Sequence, residues 1–426
     1  MTELVTEPMR KELDKAKRMQ GDMLLSYFDA LSKSSVTGTK IGYSFVMANP
    51  IELLATFDIL PLFPEITSLN ISYRGGAPPL IAQAEEVGYS TDACGYVKMG
   101  VASIMDKTKT PIGPIPKPDI LFLSYSGCQI YIHWWEQYHY QTGAPIFTID
   151  VPYLRDYDRH VPKHDIEYVA GQLEEMIPKL EAATGKRFNE DKLKEIVRLS
   201  GEAWDLWKEC VEMGKLKPTP FDAYFESIYY MAPITFARGS QKCVDFYKFL
   251  LDELKLRAER GIGPTEREDY RLVFEGVPNY PFFKKFWGLF SHYNARCVAS
   301  TYPKVAGLVD TGSFRLNPEK PIESIAEYMI HAYCNWNMPV RTHLIERYVK
   351  DYRADAVVIH SIKSCRSFSM GQGDIREYLA KELDVPTLLV ESDHVDPRYY
   401  SEAQMKNRID AFFETLALRK KRSQMN

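Results

Sequence analysis

Several sequence patterns that mark common enzyme classes are missing from this 426-residue chain. It has neither the Walker phosphate-binding pattern nor a glycine fingerprint after a predicted strand, so it does not look like an ATPase. A nucleophile-elbow pattern, an HExxH pair and a CxxC pair are also missing. The nine histidines are scattered without metal-ligand spacing. Chemistry of these kinds therefore has no local signature in the sequence.

Signals for membranes, secretion and nucleic acid are equally scarce. No segment approaches the ~18 consecutive apolar residues of a membrane-spanning helix, and Met1–Lys17 lacks the apolar core of a secretory signal. The 53 basic and 57 acidic residues are interspersed, giving a net charge of −4 without a basic stripe. We therefore expect a cytoplasmic protein with neither a membrane nor a nucleic-acid partner.

Length and hydrophobic periodicity predict an α/β fold with more than one lobe. Single cores stop growing near ~250–300 residues, and this chain is longer. Short apolar runs alternate with helical patterns, which is typical of parallel α/β units, whereas the middle of the chain shows only helical periodicity. We predict two doubly wound parallel-sheet lobes of Rossmann or flavodoxin type around a helical insertion, with the N-terminal lobe and its leading helix at 1–163, the helical segment at 164–262 and the C-terminal lobe at 263–426.

The element predictions are specific enough to be checked. Asn49-Pro50 predicts a helix start, because Asn can cap the free amides and Pro suits the first turn. The predicted strands are Ile41–Val46, Asp119–Tyr125, Pro145–Ile149, Tyr270–Glu275, Ala295–Ser300, Ala356–Ser361 and Thr387–Glu391.

The seven cysteines become informative when they are placed on these elements. Their odd number and wide spacing argue against a disulfide framework. Cys128 and Cys365 each follow a predicted strand, where ligands collect in open α/β sheets. Cys94 lies at a predicted helix start, a position that favours the thiolate. The three could converge on one interlobe metal site, although buried cysteine is also a common packing residue.

The remaining cysteines and one histidine receive separate interpretations. Cys334, between a helix end and a proline, is open between ligand and packing residue. His360, at a strand terminus near Cys365, is a candidate proton donor or a hydrogen-bonded structural imidazole. Packing roles are expected for Cys210 and Cys243 in helical stretches and for Cys297 in a strand.

Four strings of this sequence resemble the cluster-binding loops of the 2-hydroxyacyl-CoA dehydratase and benzoyl-CoA reductase superfamily. They are Thr91–Lys98, Leu123–Cys128, Ile362–Ser369 and Glu391–Tyr400, the last of which continues to Lys406-Asn407-Arg408, and the resemblance extends from about residue 20 to 415. Phe221–Phe225 and the Asp-Pro-Arg-Tyr string at 396–399 resemble the B subunits of ATP-dependent benzoyl-CoA reductases in particular.

The resemblance implies a [4Fe-4S] cluster on Cys94, Cys128 and Cys365. If Cys334 also ligates, the resemblance allows a closed cluster or a double-cubane cluster. It further implies a homologous C-type partner subunit and an ATP-hydrolysing iron–sulfur activator. The implied reaction reduces an aromatic acyl-CoA to a cyclohexadienoyl-CoA in low-potential single-electron steps. A 2-hydroxyacyl-CoA dehydratase subunit, a double-cubane reductase and a metal-free scaffold remain alternatives.

Overall fold

The computed structural model describes residues 14–105, 110–305 and 314–425 of the chain. Within these ranges, two four-stranded sheets are built only from parallel strand pairs, and helices connect the strands. The predicted fold class, an α/β protein with two doubly wound parallel sheets, is confirmed. The three domain ranges stay a prediction. Nowhere in the described ranges does a helix combine the length and apolar character of a bilayer span; residues 1–13 of the N-terminal segment lie outside those ranges.

The N-terminal lobe has the strand order β2-β1-β3-β4. Its third strand is buried over Ile120–Ser124, as expected for a strand covered on both faces. Its elements are α1 (Lys15–Thr37), β1 (Ile41–Tyr43), α2 (Ile51–Thr56), β2 (Leu60–Leu62), α3 (Pro64–Tyr73), α4 (Ala77–Glu86), α5 (Gly95–Met105), β3 (Ile120–Tyr125), α6 (Ile130–Thr142) and β4 (Ile146–Asp150).

A helical region follows this lobe in the chain. It comprises α7 (Lys163–Thr184), α8 (Glu190–Glu212), the short helices α9 (Ser227–Tyr230) and α10 (Ala232–Phe236), and α11 (Gln241–Glu259). Helix α8 packs along α11, and α1 of the N-terminal lobe also packs against α11. The carboxylate of Glu253 accepts hydrogen bonds from the first backbone N–H groups of α1, at Lys15 and Ala16. The leading helix is thereby fixed to the helical region.

The C-terminal lobe repeats the strand arrangement as β6-β5-β7-β8. The central strands β5 and β7 are buried over almost their whole length, and most of their residues are apolar. Its elements are β5 (Tyr270–Glu275), α12 (Phe283–Ser291), β6 (Ala295–Ser300), α13 (Pro321–Ile330), α14 (Met338–Asp351), β7 (Ala356–Ile362), α15 (Arg366–Ser369), α16 (Gln372–Glu382), β8 (Thr387–Ser392) and α17 (Glu402–Met425).

The structure corrects two local predictions in the N-terminal lobe. Strand β1 ends at Tyr43 rather than Val46, and the short strand β2 was not predicted. Asn49 does not cap α2: its amide group donates to the carbonyls of Phe45 and Val46, and its Oδ1 accepts from Arg238. These bonds fold the segment after β1 into a tight loop, which outweighs the capping preference of Asn.

Both sheets place the first and third strands of their lobe side by side. From β1 the chain continues to one edge of the sheet, and from β3 it continues to the other edge. The chain does the same after β5 and β7. Such a switch point opens a crevice beyond the carboxyl ends of the strands. The loops that follow these four strands meet at the site described next.

Candidate functional site

A cavity of about 500 Å³ lies between the two lobes, at the carboxyl ends of their strands. We call it the interlobe cavity. Its wall is mainly apolar and aromatic. It is lined, among other residues, by Val46, Met47, Glu65, Tyr73, Cys94, Tyr96, Cys128, Tyr131, Tyr229, Val277, Tyr280, Tyr302, Cys334, Cys365, Phe368 and His394. Loops that follow β1, β3, β5 and β7 all contribute, as the switch-point rule predicts.

Four of the seven cysteines line this cavity, and each stands on a different loop. Cys94 immediately precedes α5, and Cys128 follows β3. Cys365 follows β7, directly before α15, and Cys334 lies in a 3₁₀ turn between α13 and α14. The three thiols singled out first by the sequence are therefore brought together, and Cys334 joins them.

The other cysteines are packing residues, as their predicted positions indicated. Cys210 lies in α8, Cys243 in α11 and Cys297 in β6. All three are buried, and none lines the interlobe cavity. They offer matched controls for the four cavity thiols.

Hydrogen bonds connect the loops that carry these thiols. The backbone N–H of Gly95, next to Cys94, donates to the Ser364 hydroxyl at 3.2 Å, and that hydroxyl donates to the buried carboxylate of Asp393. The Ser367 hydroxyl, two residues after Cys365, donates to the carbonyl of Gly127 at 3.1 Å. The Cys365 loop is thus joined to both thiol loops of the N-terminal lobe.

Gly127 brings the Cys128 loop against the Cys334 turn. Its φ of +80° is a left-handed conformation, and a Cβ at this position would stand 2.2 Å from the carbonyl oxygen of Cys334. Only glycine satisfies both conditions without displacing backbone. The close contact with the Cys334 turn therefore explains why glycine precedes Cys128 in this sequence, which the family resemblance alone did not explain.

Burial dominates the acid–base behaviour of the thiols. It raises the pKa of Cys365 to about 11, although the N–H groups of Phe368 and Ser367 partly oppose it. Burial also raises the pKa of Cys94, Cys128 and Cys334, and the neighbouring Cys365 thiol raises each of these further. The N–H of Val97 does lower the pKa of Cys94, as a helix start should, but burial outweighs it.

The thiols are arranged around a space and do not converge on one point. Within the described ranges, no three His, Cys, Asp or Glu side chains are close enough together to hold a single metal ion. In an iron–sulfur cluster each thiolate binds a different iron, so the ligand sulfurs stand around the cluster. The donor chemistry of four thiols lining one cavity fits such a polynuclear group.

Glu65 is a functional candidate that sequence reasoning missed. It is buried in the first turn of α3, where its Oε1 accepts from the Val46 N–H at 3.2 Å and the Tyr131 hydroxyl at 3.1 Å. Its Oε2 has no hydrogen-bond partner among the described residues. Burial raises the pKa of this carboxyl to about 7. In the sequence, Phe63-Pro64-Glu65 reads only as an ordinary helix start, so no local signal could have distinguished it.

Aromatic hydroxyls and an imidazole add to the polar part of the wall. The hydroxyls of Tyr280 and Tyr302 form a hydrogen bond. The edge of the Tyr96 ring meets the His394 ring, with centroids 4.2 Å apart. The Nε2 of His394 lies 3.8 Å from the sulfur of Cys94. His394 belongs to a string that the resemblance included, but its role as a thiol neighbour was not predicted.

His360 does not lie at the cavity. It is fully buried inside β7, where its Nδ1 is 2.7 Å from the carbonyl oxygen of Val277 and its Nε2 is 2.6 Å from the Ser392 hydroxyl. Burial lowers the pKa of this imidazole to about 4. These are the bonds of a structural imidazole, and the proton-donor role stays a prediction that the geometry does not support.

The sequence comparisons agree with this geometry. A family model described as 2-hydroxyglutaryl-CoA dehydratase, D-component, matches residues 46–416. The chain belongs to this family. The D-component match includes all four cavity thiols and Glu65, since each lies between residues 46 and 416. The expected superfamily is thereby confirmed.

Three relatives show how far the D-component similarity extends. The benzoyl-CoA reductase B subunit of Thauera aromatica is 37% identical over 404 residues, which cover 93% of each chain. The (R)-phenyllactyl-CoA dehydratase alpha subunit of Clostridium sporogenes is 28% identical over 385 residues, covering 90% of this chain and 91% of that one. The (R)-2-hydroxyisocaproyl-CoA dehydratase alpha subunit of Clostridioides difficile is 26% identical over 412 residues, with coverages of 96% and 98%. By name, these relatives are enzyme subunits.

Proposed function

We propose that this chain is the iron–sulfur subunit of an ATP-dependent benzoyl-CoA reductase, an oxidoreductase that reduces an aromatic acyl-CoA to a cyclohexadienoyl-CoA. The observation that carries the proposal is the convergence of Cys94, Cys128, Cys334 and Cys365 on one largely apolar cavity. The 37% identity to a benzoyl-CoA reductase B subunit supports the choice of reaction.

The cavity thiols would hold a [4Fe-4S] cluster. We assign Cys94, Cys128 and Cys365 as ligands, with Cys334 as the candidate fourth. Three thiolates leave one iron open, whereas a fourth closes the cluster or accommodates a double-cubane one. When bound, the cluster supplies single electrons at low potential. Because burial keeps the free thiols protonated at neutral pH, cluster binding must release protons.

The cavity has the size and surface for an aromatic acyl group. An apolar cavity of ~150 Å³ already holds benzene, so about 500 Å³ leaves room for a ring beside the thiols. The aromatic wall excludes water from the ring, which protects a strongly reducing reaction from competing proton reduction. These residues orient the ring and keep it dry.

Glu65 is the proposed proton source. At or below pH 7 its carboxyl is protonated to a large degree, because burial raises its pKa to about 7. The bond from Tyr131 fixes Oε1, so the unpartnered Oε2 remains for the substrate. A positioned acid of this pKa suits general acid catalysis near neutral pH. Glu65 would therefore protonate the ring as it accepts electrons.

Two protein partners belong to the proposal. They are a homologous C-type subunit and an ATP-hydrolysing iron–sulfur activator that delivers electrons. The relatives are named as subunits, which supports an assembly of more than one chain. The absence of a Walker pattern from this sequence fits ATP hydrolysis on another chain.

A 2-hydroxyacyl-CoA dehydratase is the second candidate function. The family description and two of the relatives, at 28% and 26% identity, favour it. The same thiols and the same cavity would serve either reaction. Substrate turnover, rather than cluster content, distinguishes the two.

The deciding experiment is turnover by the anaerobically purified complex of this chain with its homologous partner. The complex is supplied with ATP, a strong reductant and the activator, and receives either benzoyl-CoA or a 2-hydroxyacyl-CoA. The proposal expects a cyclohexadienoyl-CoA from benzoyl-CoA. Water loss from the 2-hydroxyacyl-CoA without ring reduction would replace the reductase by the dehydratase. Absence of iron and acid-labile sulfide from the complex would refute both reactions and favour a metal-free scaffold.

A further inference from the structure

A buried ion pair braces the thiols of the C-terminal lobe. The Nη2 of Arg341, in the first turn of α14, donates to the Oε1 of Glu275 at 2.8 Å. Their side chains are 5% and 0% exposed. Burying two charges costs free energy that their mutual attraction does not always offset, so such a pair is weak evidence for stability alone. Its contacts with the thiol loops suggest what else it does.

Arg341 first holds the turn that follows Cys365. Its Nη1 donates to the carbonyl of Ser367 at 3.0 Å, and its Nη2 donates to the carbonyl of Phe368 at 3.1 Å. The N–H groups of the same two residues face the sulfur of Cys365. The turn therefore lies between the guanidinium and the thiol, and the planar fork of arginine fixes both carbonyls at once.

Arg341 also holds the turn that carries Cys334. Its guanidinium lies 4.9 Å above the centre of the Tyr333 ring, the residue before Cys334. The hydroxyl of Tyr333 donates to the Oε2 of Glu275 at 2.9 Å. Arg341 thus contacts the face of the Tyr333 ring, and Glu275 accepts from its hydroxyl. Together they hold the Cys334 turn in place.

We propose that Arg341 is a positioning residue that fixes the Cys334 and Cys365 loops at the separation a cluster requires, and that its charge makes the reduction potential of that cluster less negative. The inference rests on the proposed cluster. Replacing a group that orients a metal ligand typically weakens metal binding by ~10- to 100-fold. A guanidinium is always charged in a protein, so it favours the state with one more electron.

The chain supplies a matched control in Arg238. Its Nε donates to the buried carboxylate of Glu52 at 2.6 Å, with side chains 0% and 1% exposed. It also stacks on two aromatic rings, those of Trp204 and Tyr328. This ion pair has the burial and chemistry of the Arg341 pair, but neither its two residues nor the two aromatic residues line the interlobe cavity.

The test compares Arg341→Met, Arg341→Lys and Arg238→Met in the anaerobic complex. Iron retention against a chelator is measured per folded chain, and the midpoint potential is measured by redox titration with electron paramagnetic resonance. Arg341→Met should weaken iron retention ~10-fold or more and shift the potential to a more negative value. Arg341→Lys keeps the charge but loses the fork, so it should retain less iron at a potential close to wild type.

Each other outcome has a definite meaning. Wild-type retention and potential in Arg341→Met would overturn this inference while the cluster proposal stands. An equal loss of iron in Arg238→Met would also overturn it, because the effect would then be one of general stability. If Arg341→Met does not fold, a wild-type retention in Arg341→Lys contradicts the role of the fork. Absence of iron from the wild-type complex would instead refute the proposed function itself.

Discussion

The two lobes share one strand order but support their thiols differently. Each lobe brings two thiols to the interlobe cavity. In the C-terminal lobe, Arg341 and Glu275 of the same lobe brace the turns around Cys334 and Cys365. In the N-terminal lobe, the partners come from across the interface: His394 lies beside Cys94, and Ser367 bonds to the residue before Cys128.

This difference shows where the site acquires its geometry. The C-terminal half-site has an internal brace in addition to contacts across the interface, where the side chain of Asn335, next to Cys334, donates to the carbonyl of Pro152. The Cys94 and Cys128 loops of the N-terminal half-site take partners more than two hundred positions away in sequence, so docking of the lobes shapes both half-sites. In exchange, the N-terminal lobe contributes Glu65, the cavity carboxyl proposed as the proton source.

The largest expected effect comes from removing one thiol of either lobe. Cys128→Ser and Cys365→Ser should each lower the iron and acid-labile sulfide bound per chain by ~10-fold or more, because a missing ligand costs at least as much as a missing support. Cys210→Ser, a buried cysteine outside the cavity, should keep the wild-type content. Equal iron content in the Cys128 and Cys210 variants would contradict the assignment of Cys128 as a cluster ligand from the N-terminal lobe.

Replacing Glu65 separates the two contributions of the N-terminal lobe. Glu65→Gln keeps the size and polarity of the side chain but cannot give up a proton at neutral pH. Turnover should fall by about 10²-fold or more, while iron content stays at the wild-type level. A variant with normal turnover would show that the proton reaches the substrate by another route.

The pH dependence of turnover tests the same carboxyl without a mutation. Because burial raises the pKa of Glu65 to about 7, the acid is available below that pH and is lost above it. Turnover should fall roughly tenfold per pH unit on the alkaline side. The Tyr131 hydroxyl and the Val46 N–H bond to Glu65, and the hydroxyls of Tyr96, Tyr138 and Tyr302 and the thiols of Cys128 and Cys334 also interact with its charge.

The alkaline fall has its own control. It should be absent from the residual activity of Glu65→Gln, measured over the same pH range. If the residual activity of Glu65→Gln still falls at alkaline pH as in the wild type, the fall is due to another titrating group.

A smaller effect is expected where the lobes touch at Gly127. Gly127→Ala places a Cβ against the carbonyl of Cys334 and should move the Cys128 loop, so iron retention should fall a few-fold. Gly143→Ala is the matched control, because its φ of +74° is equally left-handed but nothing lies within 4 Å of its Cβ. Gly143→Ala should lower the free energy of unfolding by ~1–2 kcal/mol, the cost of the left-handed conformation alone, and Gly127→Ala should lower it further because of the backbone clash. Equal iron content in the two variants would show that the close contact at Gly127 is unimportant.

Local pattern was enough to predict seven of the eight strands in the described ranges and three of the thiols that line the cavity. Strands such as Tyr270–Glu275 and Ala295–Ser300 are predicted to the residue, because each is a short, mostly apolar run between turns. Cys94, Cys128 and Cys365 are found by their place at strand ends and a helix start, and that place is fixed by topology. These features depend on short stretches of sequence.

The remaining features depend on contacts between distant segments. Glu65 looks like an ordinary helix start until Tyr131 and Val46 close around it. Arg341 looks like a surface arginine of a helix until Glu275, 66 positions earlier, meets it. His360 is the converse case: its position near Cys365 in sequence suggested either a proton donor or a structural imidazole, and the bonds to Val277 and Ser392 favour the structural one.

We propose above all that thiols from both lobes hold one iron–sulfur cluster in the interlobe cavity. The most direct measurement is an anomalous difference map at the iron edge, from crystals of the complex grown without oxygen. The account predicts a strong peak in this chain, bounded by Cys94 and Cys128 on one side and Cys365 on the other. A map without a peak in the cavity, or with these three thiols around an iron-free space, would contradict it.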